Sequence, residues 1–162
     1  WSHQAVLART NRQLELMAAA LTAAGVPVRR DARGRFTERT VVRAALPWLR
    51  ENRGRVVTVA STLGHRAVSD ATAYCASKFG VVGFTRALTA ELRGEVGVTM
   101  LTPGGMATAF FDQREDRYKP PPDLDLCDPV QVAESVHFAL TRPPGCEVRE
   151  IVVTPSNESS WP

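Results

Sequence analysis

A tyrosine and a lysine four positions apart, Tyr74 and Lys78, stand near the start of a segment with helical composition. Four residues make slightly more than one helical turn, so both side chains point to the same side of the helix. The segment follows a run of β-branched and apolar residues, 55–60 (RVVTVA), which leads directly into Ser61. A strand, a loop and a helix in this order place the Ser61 hydroxyl beside the two helix residues. This unit predicts an α/β fold with its polar residues at the tip of a strand.

These residue types suit the transfer of a proton to or from an oxygen atom of a substrate. A free phenol, with a pKa of about 10, holds its proton too tightly to act as a base at neutral pH. A nearby ammonium group favours the phenolate and lowers that pKa. The pairing therefore indicates Tyr74 as an acid/base group and Lys78 as the residue that tunes it.

The sequence Y-C-A-S-K that begins at Tyr74, together with Ser61 thirteen residues earlier, resembles the short-chain dehydrogenase/reductase family. Residues 103–108 (PGGMAT) match the P-G-x-x-x-T pattern that follows the next strand in that family, and the resemblance covers about residues 36–162. It implies an NAD(P)-dependent oxidoreductase that transfers hydride between a nicotinamide cofactor and a carbonyl or alcohol substrate. It also implies that Ser61 holds the substrate oxygen.

The same resemblance implies which residues bind the cofactor. Lys78 would hydrogen-bond the nicotinamide ribose, and Thr108 would contact the nicotinamide end. The implied cofactor-binding residues are Tyr74, Lys78, Pro103, Gly104 and Thr108. The choice between NAD and NADP stays open, because the part of the family that carries the selecting residue has no counterpart here.

The family's glycine-rich turn, G-x-x-x-G-x-G, is missing. The equivalent stretch, residues 8–12, reads ARTNR and contains no glycine, so its side chains block a close approach to phosphate. The Asn-Ala-Gly motif is also missing, and the proton-relay asparagine falls at about Gly34. We therefore expect a three-layer, Rossmann-like parallel α/β sheet that is incomplete, with its first cofactor-binding half missing or replaced. We also expect weak dinucleotide binding by this chain alone.

Residues 4–29 predict a strand, a helix ending at Gly25, and a second strand at 26–29. They resemble a short segment of superfamily-1 DNA helicases, but the chain contains no P-loop, so no helicase activity is expected. We divide the chain into residues 1–35 and 36–162, as in a truncated or fused protein. Because the 55–60 strand has lost its usual neighbour, residues 4–8 are predicted to pair with its free edge.

Beyond this segment, alternating elements predict a parallel sheet. The predicted helices span residues 37–51, 71–93 and 129–141, and the strands 55–60, 96–101 and 148–154. The helices at 37–51 and 71–93 are expected to form a homo-oligomer interface, as the family resemblance implies. In the long loop after the second of these strands, Phe110, Phe111 and Tyr118 would line an apolar pocket; alternatively, the phenylalanines pin a short helix to the core.

Composition excludes several classes of protein. The net charge of +3 is small, and six arginines between Arg29 and Arg43 form a patch that we interpret as a solvated linker and helix face rather than a nucleic-acid site. No signal peptide or membrane-spanning run is recognisable, so we expect a cytoplasmic protein without membrane contact. The cysteines have no metal-ligand spacing, which predicts reduced thiols and no metal.

Two other functions remain open for this sequence, and a third is considered and set aside. The missing glycine turn favours a non-catalytic dehydrogenase remnant that acts at most as a dimerising or nucleic-acid-associated module. A nucleic-acid-binding module, suggested by the helicase-like start and the arginine patch, ranks below it. A serine hydrolase built on Ser61, His65 and Asp70 is set aside, because no G-x-S-x-G elbow is present and three residues of one loop rarely form a triad.

Overall fold

The computed structural model describes residues 4–7, 11–25 and 39–161. The predicted strand at 26–29, the proposed boundary near residue 35 and most of the arginine patch lie outside these residues, as does Gly34.

A parallel β-sheet forms the centre of the described part of the chain. Its strands are β1 (Gln4–Leu7), β2 (Arg55–Val59), β3 (Gly97–Pro103) and β4 (Glu150–Val153), in the spatial order β1-β2-β3-β4. β2 and β3 are rich in β-branched residues and are almost entirely buried, as expected for strands that are covered on both faces. The edge strand β4 alternates between exposed and half-buried residues.

β1 takes the position beside β2 that the sequence predicted for it. The two strands pair in parallel, from Gln4 opposite Arg55 to Leu7 opposite Thr58. This pairing confirms the expectation that residues near the start of the chain cover the free edge of β2. The sheet is therefore completed on this side by a segment that carries none of the family motifs.

Helices cover both faces of the sheet. On one face, α1 (Asn11–Ala23) and α4 (Pro129–Leu140) pack together over a core built around Val57 and Leu101. On the other face, α2 (Arg39–Glu51) and α3 (Thr72–Glu91) enclose a second core. Its buried members are Leu49, Val56, Leu88, Leu92, Val96 and Val98. This arrangement confirms the three-layer, Rossmann-like α/β fold, in an incomplete form.

The ends of the helices follow their sequence signals. Gly25, just after α1, has a φ of +76°, and Gly94, just after α3, has a φ of +80°. Both lie in the left-handed region that glycine adopts at low cost. α4 begins at Pro129, and the Asp128 carboxylate accepts a hydrogen bond of 2.8 Å from the Val130 N–H, as in a standard N-cap.

One arginine ties the amino end of β2 to the turn that follows α4. The Arg55 guanidinium donates hydrogen bonds to the carbonyl oxygens of Arg142 at 2.9 Å and Cys146 at 3.0 Å, and a longer one to Pro143 at 3.3 Å. These contacts satisfy carbonyl groups that a turn would otherwise leave to solvent. They fix the edge of the sheet that lies opposite the candidate site.

None of the helices in the described ranges is long and apolar enough to cross a membrane. Within those same ranges, no group of three or more His, Cys, Asp or Glu residues could hold a metal ion.

Candidate active site

The candidate site lies at the carboxyl ends of β2 and β3, which is the edge where open parallel sheets bind ligands. Directly after β2, the chain forms a 3₁₀ turn, Thr62–Gly64, and Ser61 caps it. The Ser61 Oγ accepts a hydrogen bond of 3.3 Å from the Leu63 N–H, and the residue is 8% exposed. The turn holds the serine hydroxyl at the tip of β2, as the sequence predicted.

Lys78 is completely buried on α3, with 0% exposure. Its ammonium donates hydrogen bonds to the carbonyl oxygens of Val59 at 3.1 Å and Ala60 at 2.9 Å. A buried ammonium needs such partners, because removal from water without compensation is costly. The lysine is therefore fixed to the last residues of β2, directly before Ser61.

The Tyr74 ring lies on the same side of α3, with its centroid 5.7 Å from the Lys78 Nζ. The spacing of four residues brings the two groups together as expected. The structure thus assembles Tyr74, Lys78 and the tip of β2 that carries Ser61 into one cluster.

Gly64 allows the 3₁₀ turn to pack directly on α3. A Cβ at this position would lie 3.0 Å from both the Lys78 carbonyl oxygen and the Val82 Cγ2. Contacts this short force a neighbour to move, and the carbonyl belongs to helix backbone. Gly64 therefore sets the distance between the Ser61 turn and the Lys78 backbone. Sequence reasoning did not single it out; a glycine three residues after the candidate serine was the available signal.

The P-G-x-x-x-T segment begins at the end of β3. Pro103 is the last residue of the strand and is buried, and the Gly104 N–H donates a hydrogen bond of 2.9 Å to Val153 O. The half-buried Thr108 accepts a hydrogen bond of 3.3 Å from the Phe110 N–H through its Oγ1. Phe110, two residues beyond this segment, lies near Tyr74, with 6.0 Å between the two ring centroids.

A groove runs beside this segment. Phe111, whose ring centroid is 5.0 Å from that of Phe110, opens onto a groove of about 610 Å³. Its surface is about as polar as it is apolar, and its lining includes one acidic and one basic residue. The lining residues are Ala107, Thr108, Ala109, Phe111, Asp112, Lys119, Pro120, Pro121, Pro122, Leu124 and Leu126. Of the three aromatic residues predicted to line a pocket, Phe111 lines this groove, whereas Phe110 and Tyr118 do not. Phe110 instead packs between Phe111 and Tyr74.

His65 does not form the hydrolase arrangement. Its Nε2 lies 3.5 Å from the Thr102 Oγ1 and 3.6 Å from the Glu150 carboxylate. Its ring makes an edge contact with Trp161, with 5.4 Å between the centroids. The imidazole therefore serves the packing of β3, β4 and the last described residues.

A comparison with protein-family models decides the family. The model described as short chain dehydrogenase matches residues 37–119, which is half of the chain. The chain belongs to the short chain dehydrogenase family. The match includes the segment from Ser61 to Thr108, whereas the helicase resemblance of residues 4–29 stays a sequence-based interpretation.

Curated relatives agree with this family. A 17-beta-hydroxysteroid dehydrogenase 13 of Rattus norvegicus is 42% identical over 101 residues, which are 59% of this chain and 32% of the relative. An estradiol 17-beta-dehydrogenase 11 of Mus musculus is 36% identical over 71% of this chain and 37% of its own length. An uncharacterized oxidoreductase of Staphylococcus aureus is 36% identical over 70% of this chain and 48% of its own. The chain spans a third to a half of the length of these relatives.

Solved structures show the same fold. The closed form of a serine dehydrogenase complexed with NADP+ is 28% identical, with a TM-score of 0.61, over 69% of this chain and 48% of that one. An apo SCOR enzyme from Clostridium thermocellum is 20% identical, with a TM-score of 0.59, over 92% of this chain and 60% of that one. At 20% identity, the second comparison supports only the fold. Its coverage of 92% of this chain shows that the likeness extends beyond residues 37–119.

Proposed function

We propose that this chain carries the catalytic half of a nicotinamide-dependent oxidoreductase that interconverts a carbonyl compound and an alcohol. The carrying observation is the completely buried Lys78 ammonium, held by two carbonyls at the tip of β2 and 5.7 Å from the Tyr74 ring centroid. A buried positive charge beside a phenol stabilises the phenolate and so makes the hydroxyl an effective proton donor and acceptor.

The proposed roles follow from these positions. The Tyr74 hydroxyl gives its proton to the substrate oxygen in reduction and takes it back in oxidation. Ser61, fixed at the tip of β2 by its turn, donates a hydrogen bond to that oxygen and orients the carbonyl group. Lys78 stays beside the phenol, because its two carbonyl partners hold the Nζ in place.

The nicotinamide end of a cofactor fits the donor set of this edge. Tyr74 and Lys78 lie at the end of β2, and the Thr108 hydroxyl follows β3 on the same edge. We propose that the half-buried Thr108 and the backbone from Pro103 to Gly104 contact this end of NAD or NADP, while Lys78, which is inaccessible to solvent, acts on it through its charge. The bound cofactor would supply the hydride. For the phosphate end of the cofactor the sequence offers no glycine-rich turn, since residues 8–12 contain no glycine.

We propose the groove along Phe111 as the place of the substrate body. The groove is shallow and open, and its prolines and leucines would contact the apolar part of a small molecule. The aromatic row from Phe111 through Phe110 to Tyr74 connects the groove with the proposed proton donor.

The proposal also covers the segment of residues 1–35 and a homo-oligomer formed through α2 and α3. Residues 1–35 would act as a replacement for the family's first half, because β1 takes the free edge of β2. The exposed Trp48 on α2, and Phe79 and Phe84 on α3, support a homo-oligomer through these two helices.

A non-catalytic, dimerising remnant is the second candidate, and the absence of glycine in residues 8–12 favours it. Titration of the purified chain with NADPH and NADH, followed by nicotinamide fluorescence, separates the two. Micromolar binding that Lys78→Met weakens and Arg86→Met, at an exposed position of the same helix, leaves intact would support the oxidoreductase. No binding at millimolar cofactor would favour the remnant.

Activity is tested next with a panel of ketones and aldehydes. We expect Tyr74→Phe to lower kcat by about 10²–10⁴-fold and to change cofactor affinity less than Lys78→Met does, because the variant removes the transferred proton but keeps the ring. Tyr118→Phe is the matched control, since these are the two tyrosines of the chain. Equal activity of Tyr74→Phe and the unmodified chain would refute the proposed role.

A further inference from the structure

The last described residues cross the candidate site. We call residues 154–161 the C-terminal strap. The strap leaves the carboxyl end of β4, passes the end of β3 and reaches the turn after β2, because its side chains contact Gly105 and then Thr62. It thus runs along the edge where the proposed site lies.

Glu158 is the central contact of the strap. Its Oε2 accepts a hydrogen bond of 2.9 Å from the Gly105 N–H, and its Oε1 accepts bonds from the Ser160 N–H at 3.1 Å and the Ser160 hydroxyl at 2.7 Å. Partial burial alone would raise the pKa of this carboxyl, but the three hydrogen bonds outweigh it and lower the pKa below its ordinary value. The group is therefore a carboxylate at neutral pH.

The β3 turn is shaped to receive this carboxylate. A Cβ at Gly104 would lie 2.8 Å from the Glu158 Oε2 and 3.1 Å from the Thr154 Cβ. A larger residue at this position would push the Glu158 carboxylate or the Thr154 side chain aside. The glycine of the P-G-G sequence is thus explained in this chain by a contact with its own strap.

The far end of the strap is held by the turn after β2. The Ser160 hydroxyl is hydrogen-bonded at 2.7 Å to the hydroxyl of Thr62, which is buried and follows Ser61 directly. The Arg66 guanidinium donates a hydrogen bond of 2.5 Å to the Ser159 carbonyl, and Trp161 packs on His65. Through Glu158 and Ser160, one strap therefore links the Gly105 turn to the Ser61 turn.

We propose that Glu158 is a positioning residue that fixes the Pro103–Gly105 turn relative to the Ser61–Arg66 turn. The Pro103–Gly105 turn carries proposed nicotinamide contacts, and the Ser61–Arg66 turn carries the proposed substrate contact of Ser61. The expected effect on cofactor affinity rests on the proposed function, whereas the link between the two turns does not. Breaking the Glu158 contacts should loosen both turns together.

The link is tested without cofactor by hydrogen exchange in Glu158→Ala, Glu158→Gln and Ser156→Ala. Ser156 is an exposed residue of the same strap and serves as the control. In Glu158→Ala we expect exchange in peptides covering residues 61–66 and 104–108 to rise about tenfold or more, because one lost charge-assisted hydrogen bond corresponds to at least that factor. In Glu158→Gln, which keeps one acceptor oxygen, the exchange rates should lie between those of the unmodified chain and those of Glu158→Ala.

Faster exchange in both peptides supports the proposal, with or without cofactor binding by the unmodified chain. Faster exchange at residues 104–108 alone, or in neither peptide, overturns it. If the unmodified chain binds NADPH or NADH, its dissociation constant should rise about tenfold in Glu158→Ala and recover in part in Glu158→Gln. An unchanged constant despite loosened turns would overturn the positioning role. Failure of the unmodified chain to bind either cofactor would refute the proposed function and leave the exchange result to decide the link.

Discussion

A buried pair of threonine hydroxyls determines how α3 sits on β2, and its removal gives a sharp test of the packing. The Oγ1 atoms of Thr58 and Thr85 are 2.7 Å apart, and both residues are nearly inaccessible to solvent. The Thr85 hydroxyl also donates to Val81 O at 2.7 Å. Since each hydroxyl has one hydrogen, Thr85 gives its hydrogen to the helix carbonyl and Thr58 gives its own to Thr85. Thr58 directly precedes Val59, one of the carbonyl partners of Lys78.

The two threonines should therefore respond differently to replacement by valine. Thr85→Val leaves the buried Thr58 hydroxyl with only a long contact of 3.5 Å to Thr99 O, so it should cost about 1–3 kcal/mol, the penalty of an unsatisfied buried group. Thr58→Val leaves Thr85 bonded to Val81 and should cost about 0.5–1.5 kcal/mol. The double variant removes both polar groups and should cost clearly less than the sum of the two single variants.

Urea unfolding and thermal melting of the four chains measure this cycle. A loss of 1 kcal/mol lowers the melting temperature of a chain of this size by about 2–4 °C. Thr89→Val is the control, since Thr89 also donates to a helix carbonyl, Thr85 O at 2.8 Å, but is only half-buried. The reasoning fails if Thr85→Val is no more destabilising than Thr89→Val, or if the two single costs add up in the double variant.

Three further predictions concern other contacts. Arg55→Ala should lower the free energy of unfolding by about 1–2 kcal/mol in urea, and Arg55→Lys should recover little, because one ammonium cannot serve several carbonyls in the way a guanidinium does. Gly64→Ala should cost about 1–3 kcal/mol in the same assay through its clash with the α3 backbone, whereas Gly80→Ala, at an open position of α3, should not destabilise the chain. Partial burial, and to a smaller extent the charge of Glu158, raise the pKa of the Cys127 thiol. Glu158→Gln should therefore lower that pKa and speed the alkylation of Cys127 at pH 8. The alkylation rate of the exposed Cys146 should not change.

The sequence contains enough local information to predict the scaffold of the site. The residue types of 55–60 predict a buried strand, and the structure has β2 at Arg55–Val59. The spacing of Tyr74 and Lys78 predicts one helix face, and α3 spans Thr72–Glu91. Even the pairing of β1 with β2 followed from a physical requirement, since an unpaired edge of a buried strand needs a partner. The roles of Ser61, Tyr74 and Lys78 in catalysis stay predictions.

Contacts between distant residues could not be read in the same way. Glu158 and Gly105 are 53 positions apart, and Ser160 and Thr62 are 98 positions apart. Neither pair has a periodic pattern or a motif, so the segment after β4 gave no signal beyond an aromatic residue near its end. The hydrogen bonds exist because β2, β3 and β4 end at one edge of the sheet, which brings the residues that follow these strands close together.

The contacts of Lys78 and those of Glu158 stabilise the site in different ways. Lys78 is fixed by burial and by two backbone carbonyls, contacts that survive any change in surface charge. The turn after β3 is instead held by an ionised carboxylate at the edge of solvent, whose hydrogen bonds lose their extra strength if the group is protonated. Because the pKa of Glu158 is lowered, the stability this contact contributes is complete at neutral pH and is lost as the pH falls through the lowered pKa. The Gly105 turn should therefore loosen on acidification, when Glu158 is protonated.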